Sequence, residues 1–423
     1  MGRANWGIAL GWLTFLMTIP TVIGFMTGYH TLLWNAWIPV WLQASLLILV
    51  ACLVIWKSSD GFEVASDYLG GRMNLEGGVK GATINAIGSS LPELFTTFFF
   101  LVVLQDTAGF AAGIGTTAGS AVFNAMIIPA SVILAVYFTL NKRVKVNPRV
   151  ILRDGLYLIF VEVVLIFCLE SSLLRWQHGV LLMGLYLIYL ATLKFVKVTD
   201  EEEEEEDDDW QPTEQAMLKA FFTLDLQHLL LKEKSLNGSR AARLLILSVI
   251  VMGVACHMLA EACTLLGKGL GMPPFIVAII FASAATSVPD TVLSIKDARK
   301  GNYDDAVANA LGSNIFDICF ALGLPLAIYT LFNGPIDMAV STEEGFISQF
   351  RILLLILTVI AFAIYLIGRY MGMLKAVLLL LLYVVFLIYT IDYTLSLGWM
   401  TWLEGLLAQA SSFVAELNPL SWI

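Results

Sequence analysis

Long apolar stretches separated by short polar segments dominate this chain. A helix that crosses a membrane needs about 20 largely apolar residues, and stretches of that length recur eleven times. The pattern therefore predicts an all-α polytopic membrane protein. The first stretch also fits the apolar part of a signal peptide, but its length and the lack of a small-x-small cleavage word favour a retained helix. The predicted spans lie near residues 5–28, 39–69, 80–104, 110–138, 149–169, 175–196, 241–267, 273–296, 304–331, 348–371 and 374–396.

The composition excludes an ordinary water-soluble enzyme. Of the 423 residues, 58% are hydrophobic and 14% are charged, whereas soluble domains carry roughly 45–50% apolar and about 25% charged residues. The formal net charge of −10 equals the charge of the ten consecutive acidic residues at 200–209. Because the rest of the chain is neutral, we expect no nucleic-acid partner. The five cysteines lack CxxC spacing and predict neither a disulfide framework nor a metal site.

Lysine and arginine residues are distributed unevenly between the two sets of loops. With the N-terminus placed inside, only Arg175, Lys268 and Arg351 of the 24 basic residues fall on or near the outer side. Because basic loops stay in the cytoplasm, this bias predicts an integral protein of the plasma membrane or of a bacterial inner membrane. The acidic run then lies in a cytoplasmic loop, where its like charges keep the segment solvated.

Two short words occur twice, in the same order. Residues 88–93 (GSSLPE) match residues 285–290 (ATSVPD) at an offset of 197, and residues 119–124 (GSAVFN) match 312–317 (GSNIFD) at an offset of 193. Each copy lies in a block of five spans, and since five is odd the second block enters the membrane from the opposite side. Inverted repeats of this kind occur in many secondary transporters, with the substrate site where the repeats meet. The predicted division is an extra N-terminal transmembrane helix (1–30), a first five-helix repeat (39–196), an acidic cytoplasmic loop (197–240), a second five-helix repeat (241–396) and an amphipathic C-terminal tail (397–423).

Three carboxylates fall near the middle of apolar segments: Glu93, Asp290 and Asp317. A charged side chain at the centre of a bilayer costs at least roughly 2.5–3.5 kcal/mol. The four helices that carry the repeated words contain no Lys, Arg or His, so the protein supplies no base to balance these acids. Either the carboxyls are protonated or cations from solution neutralise them.

The residues around these acids favour cations. Residues four apart share a helix face, and each such partner here offers an oxygen. Hydroxyl, amide, carboxylate and carbonyl oxygens suit hard cations such as Ca²⁺, and Na⁺ accepts the same ligands. The alternative for the serines is close helix packing with interhelical hydrogen bonds. The predicted neighbours are Ser89 with Glu93, Thr286 with Asp290, Ser120 with Asn124, and Ser313 with Asp317.

Each copy of the first word also contains a proline, Pro92 or Pro289. Proline donates no backbone hydrogen bond and crowds the carbonyl four residues earlier. We therefore expect the carbonyls of Gly88 and Ala285 to be loosened. Irregular backbone at membrane depth is tolerated where it lines a cavity, so both helices are predicted to be interrupted at a site.

At these words the sequence resembles the cation/calcium exchanger superfamily, and within it the sodium/calcium exchangers. GSSLPELFTT and ATSVPDTVLS look like the first halves of that family's two α-repeats, while GSAVFNAMIIPA and GSNIFDICFALGLPL look like the second halves. The words TSVPD, ARKG (298–301) and GSNIFD are most similar to the potassium-dependent members. The resemblance covers residues 40–396 and implies a ten-helix exchanger core.

The resemblance also implies roles for individual residues. It assigns direct Ca²⁺ coordination to Glu93 and Asp290, and it associates an acid at the position of Asp317 with members that carry K⁺ together with Ca²⁺. One departure is Gly88-Ser89-Ser90, where many members have Gly-Thr-Ser. The remaining implied ligands are the hydroxyls or carbonyls of Ser89, Ser90, Thr286 and Ser287, the Na⁺ ligands Ser120 and Ser313, the side chain of Asn124, and the backbone carbonyls of Ala86 and Ser283.

The sequence as a whole indicates an antiporter of Na⁺ and Ca²⁺ with K⁺ carried alongside Ca²⁺, not an enzyme. The transported ions are its substrates, no organic cofactor is expected, and a monomer is expected to function in the lipid bilayer. A K⁺-independent sodium/calcium exchanger and an H⁺/Ca²⁺ exchanger are alternatives, which ion-gradient experiments distinguish. More distant alternatives are a cation channel and an intramembrane aspartyl hydrolase with Asp290 and Asp317 as its dyad, although the sequence lacks a GxGD word.

Overall fold

The computed structural model describes residues 39–72, 86–104, 106–171, 173–195, 220, 223–231, 236–338, 344–368 and 370–417. The predicted N-terminal helix (1–30) and the acidic run at 200–209 lie outside the described residues. The described part of the chain is almost entirely helical, as its apolar pattern predicts.

Each repeat supplies five spans, several of which consist of more than one helical segment. The first repeat comprises α1 (Val40–Arg72), α2 (Ala86–Ser89), α3 (Leu91–Leu104), α4 (Asp106–Leu140), α5 (Pro148–Leu169) and α6 (Trp176–Phe195), followed by the short α7 (Leu226–Leu231). The second comprises α8 (Gly238–Leu270), α9 (Pro274–Val277), α10 (Ser283–Thr286), α11 (Val288–Lys300), α12 (Tyr303–Phe316), α13 (Gly323–Asn333), α14 (Glu344–Leu366) and α15 (Met373–Leu395), and α16 (Thr401–Leu417) follows it. Two π-helical turns, Ala278–Ala282 and Asp317–Ala321, join α9 to α10 and connect α12 with α13.

The helices of the described residues match the ten predicted core spans. Nine of these spans are long and apolar enough to cross a membrane. The tenth, α5, has 22 residues, which give about 33 Å at 1.5 Å per residue, but its first turns carry charged residues. The all-α fold with two five-helix blocks is therefore confirmed for the described part of the chain.

Four two-residue strands confirm that the repeats are inverted. In the first repeat, β1 (Val144–Lys145) follows the third span and β2 (Leu173–Leu174) follows the fourth. In the second repeat, β3 (Ile336–Asp337) follows the third span and β4 (Tyr370–Met371) follows the fourth. The strands pair antiparallel as β1 with β4 and β2 with β3. Each pair joins the connection after the third span of one repeat to the connection after the fourth span of the other. Such connections lie on the same side of the membrane only when one repeat is turned over relative to the other.

The first helices of the two repeats pack against each other along their lengths. A Cβ on Gly269 of α8 would lie 3.1 Å from the backbone nitrogen of Trp41, and a Cβ on Gly61 of α1 would lie 2.6 Å from Ser248 Oγ. Close approach at both ends shows that α1 and α8 run antiparallel. Their buried faces join residues of α3, α4, α9 and α10 in a hydrophobic cluster that is distinct from the larger core of the other spans. This separation gives the molecule a two-helix layer beside an eight-span core.

The C-terminal helix α16 packs one face on the protein and exposes the other. Leu407 is buried in the large core, and Ser411 hydrogen-bonds to Ser348 of α14. Trp402 and Phe413 remain exposed on the opposite face. The helix is therefore amphipathic, and its apolar inner face contacts the bundle.

Candidate cation site

Two helices are interrupted at equivalent places in the centre of the molecule. A turn at Ser90 separates α2 from α3, and Ser287, with φ −81° and ψ 0°, separates α10 from α11. These two positions are 197 residues apart, and each precedes a proline by two residues. Because proline removes a backbone donor and crowds the preceding turn, the interruptions occur where the sequence predicts them.

Ser120 of α4 lies where the two repeats meet and contacts residues of both. Its hydroxyl lies 3.2 Å from Glu93 Oε1, 2.9 Å from Asp317 Oδ2 and 2.9 Å from Ser287 Oγ. One hydroxyl thus contacts a carboxylate from each repeat. It follows that these oxygens of Glu93 and Asp317 are no more than about 6 Å apart. Two opposite ligands of one Ca²⁺ at 2.3–2.6 Å are about 5 Å apart, so the upper bound is close to the span of a single cation.

The carboxylate of Asp290 completes the cluster. Ser313 Oγ donates to its Oδ1 at 3.0 Å, and Asn124 Nδ2 lies 3.2 Å from its Oδ2. Ser89 also hydrogen-bonds to this carboxylate. Asn124 Nδ2 lies 3.3 Å from Ser120 Oγ as well, so the amide connects Asp290 to Ser120.

All three carboxylates are fully buried, and part of their hydrogen-bonding capacity is unused. Buried polar atoms in folded proteins almost always have partners, so several unpartnered oxygens in one place indicate a missing ligand. Within the described residues, no Lys, Arg or His hydrogen-bonds or pairs with any of the three acids. A positive ligand would satisfy these oxygens and balance the buried charge. The oxygens without a hydrogen-bond partner are Glu93 Oε2, Asp317 Oδ1 and Asn124 Oδ1, and the hydroxyl of Ser90 lies beside the Asp317 carboxylate.

Not every predicted neighbour contact is present. Ser120 and Asn124 are in contact as predicted, but the prediction that Ser313 pairs with Asp317 is wrong, because Ser313 donates to Asp290. Thr286 Oγ1 lies 3.1 Å from the carbonyl oxygens of Ala282 and Ser283 in its own helix. Hydroxyls often bond to the preceding turn in this way. Thr286 also lies within hydrogen-bonding distance of the Glu93 carboxylate, so it meets the acid of the other repeat and not Asp290 on its own helix.

The two backbone carbonyls implied as ligands terminate the helical turns before the interruptions. Ala86 O accepts from Ser90 N at 3.1 Å, and Ser283 O accepts from Ser287 N at 3.0 Å. Each carbonyl also accepts a hydroxyl, Ala86 O from Ser89 at 3.4 Å and Ser283 O from Thr286 at 3.1 Å. A carbonyl oxygen has two lone pairs, so an ion would have to replace one of these hydroxyls. The side chain of Ser283 is directed elsewhere: it hydrogen-bonds to Ile279 O. Only its main chain faces the interruption.

The sequence reasoning missed two threonines beside the site. Thr96 and Thr97 lie one turn beyond Glu93 on α3, and both are fully buried. The Thr97 hydroxyl lacks a hydrogen-bond partner, whereas the Thr96 hydroxyl lies beside Cys256 of α8. At the equivalent place in the second repeat, Ser294 Oγ lies 3.2 Å from Asn309 Nδ2. The sequence contained a signal for them, because the letters FTT shortly after the first repeated word place two adjacent hydroxyl side chains one turn beyond Glu93.

The donor set argues against a transition-metal centre. Among the described residues, no group of three His, Cys, Asp or Glu side chains is placed to hold a metal ion. The cluster instead combines separated carboxylates with hydroxyl and amide oxygens. Oxygen sets of this kind suit Ca²⁺ and other hard cations, whereas zinc and copper favour nitrogen and sulfur ligands.

Fold and site together define a polytopic membrane protein with inverted repeats around a buried oxygen cluster that lacks internal positive charge. The family profile described as "Sodium/calcium exchanger protein" matches residues 43–195 and 241–391, which is most of the chain. The protein therefore belongs to the sodium/calcium exchanger family, within the cation/calcium exchanger superfamily that its repeated words resemble.

Individual relatives show different parts of this similarity. "Inner membrane protein YrbG" of Escherichia coli (strain K12) is 27% identical over 289 residues, which cover 68% of this chain and 80% of that protein. Human "Sodium/potassium/calcium exchanger 3" is 44% identical over 84 residues, but these are only 20% of this chain and 13% of that protein.

Solved structures confirm the fold. The H⁺/Ca²⁺ exchanger CAX has a TM-score of 0.62 at 14% identity, and the match covers 98% of this chain and 92% of that one. Native YfkE has a TM-score of 0.59, also at 14% identity, with 91% and 98% covered. At these identities the likeness concerns the fold alone.

Proposed function

We propose that this protein is a secondary active antiporter that exchanges Na⁺ for Ca²⁺ by alternating access at the cluster around Ser120. The observation that carries the proposal is the set of unpartnered oxygens beside three buried carboxylates. Among the described residues, no Lys, Arg or His pairs with these acids. In this reading Glu93 and Asp290 bind Ca²⁺. Na⁺ competes for oxygens of the same cluster, including those of Ser120 and Ser313.

Charge couples the two fluxes. An empty site would leave several buried carboxylates without a partner, and each uncompensated buried ion costs several kcal/mol. The unloaded protein therefore changes conformation reluctantly, whereas Ca²⁺ or Na⁺ removes the penalty. The two-helix layer of α1 and α8, which contacts the other spans through a hydrophobic cluster distinct from the large core, is the part that moves past the core. One ion is exchanged for the other because only protein that carries Ca²⁺ or Na⁺ changes readily between the two conformations.

We further propose that K⁺ travels with Ca²⁺. Glu93, Asp290 and Asp317 carry three negative charges when ionised, and Ca²⁺ with one monovalent cation carries three positive charges. Asp317 Oδ1 has no hydrogen-bond partner, so it offers an oxygen for the second ion. The human relative that matches 84 residues of this chain is named a sodium/potassium/calcium exchanger, which supports the same reading.

The test is ⁴⁵Ca²⁺ uptake into proteoliposomes that hold purified protein and internal Na⁺. We expect uptake that requires the outward Na⁺ gradient and falls when choline replaces K⁺, and we expect Glu93→Gln and Asp290→Asn each to abolish it. Glu416→Gln makes the same type of change at an exposed residue of α16 and should leave uptake intact. Normal uptake by either site variant would contradict the site assignment. Uptake driven by a pH gradient without Na⁺ would instead identify a proton-coupled exchanger.

A further inference from the structure

An ion-pair cluster outside the site links the moving layer to the core. Lys296, near the end of α11, places its Nζ 3.2 Å from Asp60 Oδ1 and 2.9 Å from Glu63 Oε2, both on α1. The two helices belong to different repeats. Any sliding of α1 along the core by a helical turn would separate the ammonium group from both carboxylates.

The cluster lies at one end of a cleft that reaches the cation site. The cleft is narrow, with a volume of about 20 Å³ for water, and its lining includes Glu63, Ser89 and Pro289. Glu63 belongs to the ion pair, whereas Ser89 hydrogen-bonds to Asp290. Phe62 of α1 forms a wall, since a Cβ on Gly88 would lie 2.2 Å from its ring. One helix therefore carries both the cleft wall and a partner of Lys296.

The inverted repeat has no ionic counterpart of this contact. At the offset of 197, Asp60 corresponds to His257 and Lys296 corresponds to Phe99. Phe99 and His257 are in contact as well, with ring centroids 4.9 Å apart and an angle of 63° between the rings. Because the repeats are inverted, equivalent contacts lie towards opposite sides of the membrane. One side thus has an ammonium–carboxylate contact and the other a ring contact.

We propose that Lys296 is a positioning residue that latches α1 to α11 and stabilises the conformation in which this cleft is open. The latch acts on one face of the membrane, which the loop charges predict to be the cytoplasmic face. The inference rests on the proposed function, because alternating access supplies the motion that breaks the latch. The ring contact of Phe99 with His257 is its non-ionic equivalent on the other face.

Lys57 provides a matched control within the same cluster. Its Nζ lies 3.2 Å from Asp60 Oδ2, the second oxygen of the carboxylate that Lys296 contacts. Lys57 and Asp60 are on the same helix, so this pair does not link α1 to the core. Lys57→Met and Lys296→Met therefore remove the same charge from the cluster, but only the second removes the link between helices.

The experiment measures how fast a thiol in the cleft is modified. Ser66 lines the cleft, so Ser66→Cys in the full-length protein is treated with a positively charged methanethiosulfonate reagent in detergent and in proteoliposomes. Exposed ion pairs are worth about 0.2–1 kcal/mol. Two contacts to one ammonium therefore predict an about two- to thirtyfold slower modification in the Lys296→Met background, with recovery in Lys296→Arg. Leu293→Cys, also in the lining, serves if Ser66→Cys does not fold.

Three results would overturn the latch: an unchanged or faster modification in Lys296→Met, the same slowing in Lys57→Met, or no recovery in Lys296→Arg. Added choline chloride should slow modification in the wild-type background, because salt weakens ion pairs, and should have no such effect in Lys296→Met. Thiol modification needs no ion transport. A latch effect in a protein that moves no Ca²⁺ would therefore refute the proposed function alone, whereas active transport with no latch effect would refute this inference alone.

Discussion

Ser120 and Ser313 occupy equivalent positions in the two repeats, yet they differ in how many side chains of the cluster they contact. Ser120 Oγ contacts Glu93, Asp317 and Ser287 and lies within hydrogen-bonding distance of Asn124. Ser313 Oγ makes one such contact, with Asp290. We therefore predict that Ser120→Ala impairs transport far more than Ser313→Ala does.

The expected magnitude follows from the contacts. A hydroxyl has one proton, so Ser120 donates to one carboxylate at a time, and a hydrogen bond to a charged group is worth about 1.5–3 kcal/mol. Loss of that bond together with the oxygen ligand predicts an about 10- to 150-fold rise in the Na⁺ concentration for half-maximal exchange. Ser313→Ala also removes one charged hydrogen bond but leaves the junction between the repeats in place, so we expect an effect at the lower end of that range, about tenfold.

The assay is Na⁺-dependent ⁴⁵Ca²⁺ uptake as a function of internal Na⁺, with thermal melting of each purified variant to verify folding. Equal shifts in the two alanine variants would refute the reasoning, since they would show that position in the repeat, and not the observed contacts, determines the effect. An unchanged Na⁺ dependence in Ser120→Ala would refute it as well. Ser120→Thr retains the hydroxyl and should recover most of the affinity if its methyl group is accommodated.

The other variants test charge, close packing and a buried cation. Asp317→Asn leaves two carboxylates, which Ca²⁺ alone balances, so uptake should become independent of K⁺; a persisting K⁺ requirement would contradict this. Gly88→Ala places a Cβ 2.2 Å from the ring of Phe62 and should lower the melting temperature, with recovery in the double variant with Phe62→Leu; an unaltered melting temperature would exclude the clash. Arg351 is 4% exposed and pairs with Glu170. Its replacement by Met should cost about 3–5 kcal/mol, measured as a clear drop in melting temperature, which Glu170→Gln in addition should reduce.

Hydrophobic patterning was sufficient to predict the ten core spans, because each needs only length and apolar composition. The repeated words also identified the residues of the site: Glu93, Asp290 and Asp317 are all buried in one cluster with their predicted oxygen neighbours. Repetition is informative here because residues that occupy equivalent places in two inverted repeats converge near the axis between them. Whether these residues bind ions is a separate prediction, which the transport experiments test.

The pairing inside the cluster was not predictable from spacing. Reasoning from residues four apart assumes an unbroken helix, whereas the first repeated word is interrupted at Ser90 and at Ser287. The decisive contacts also cross between repeats: Ser120 meets Asp317, and Asn124 meets Asp290. Contacts between helices depend on how the helices cross, which no local pattern encodes.

Positions where the two repeats carry different residues indicate more about function than positions where they match. Asn124 and Asp317 are equivalent positions at the offset of 193, and the amide supplies an N–H donor 3.2 Å from Asp290 Oδ2. A second aspartate there would put an acceptor against an acceptor and add a fourth negative charge to the buried cluster. The asymmetry therefore limits the site to three carboxylates and keeps Asp290 hydrogen-bonded. The contact of Lys296 with α1 is a second departure from symmetry. A symmetric scaffold would give the two conformations of alternating access equal energies, whereas an ion pair at this position and a ring contact at the equivalent one make the energies unequal.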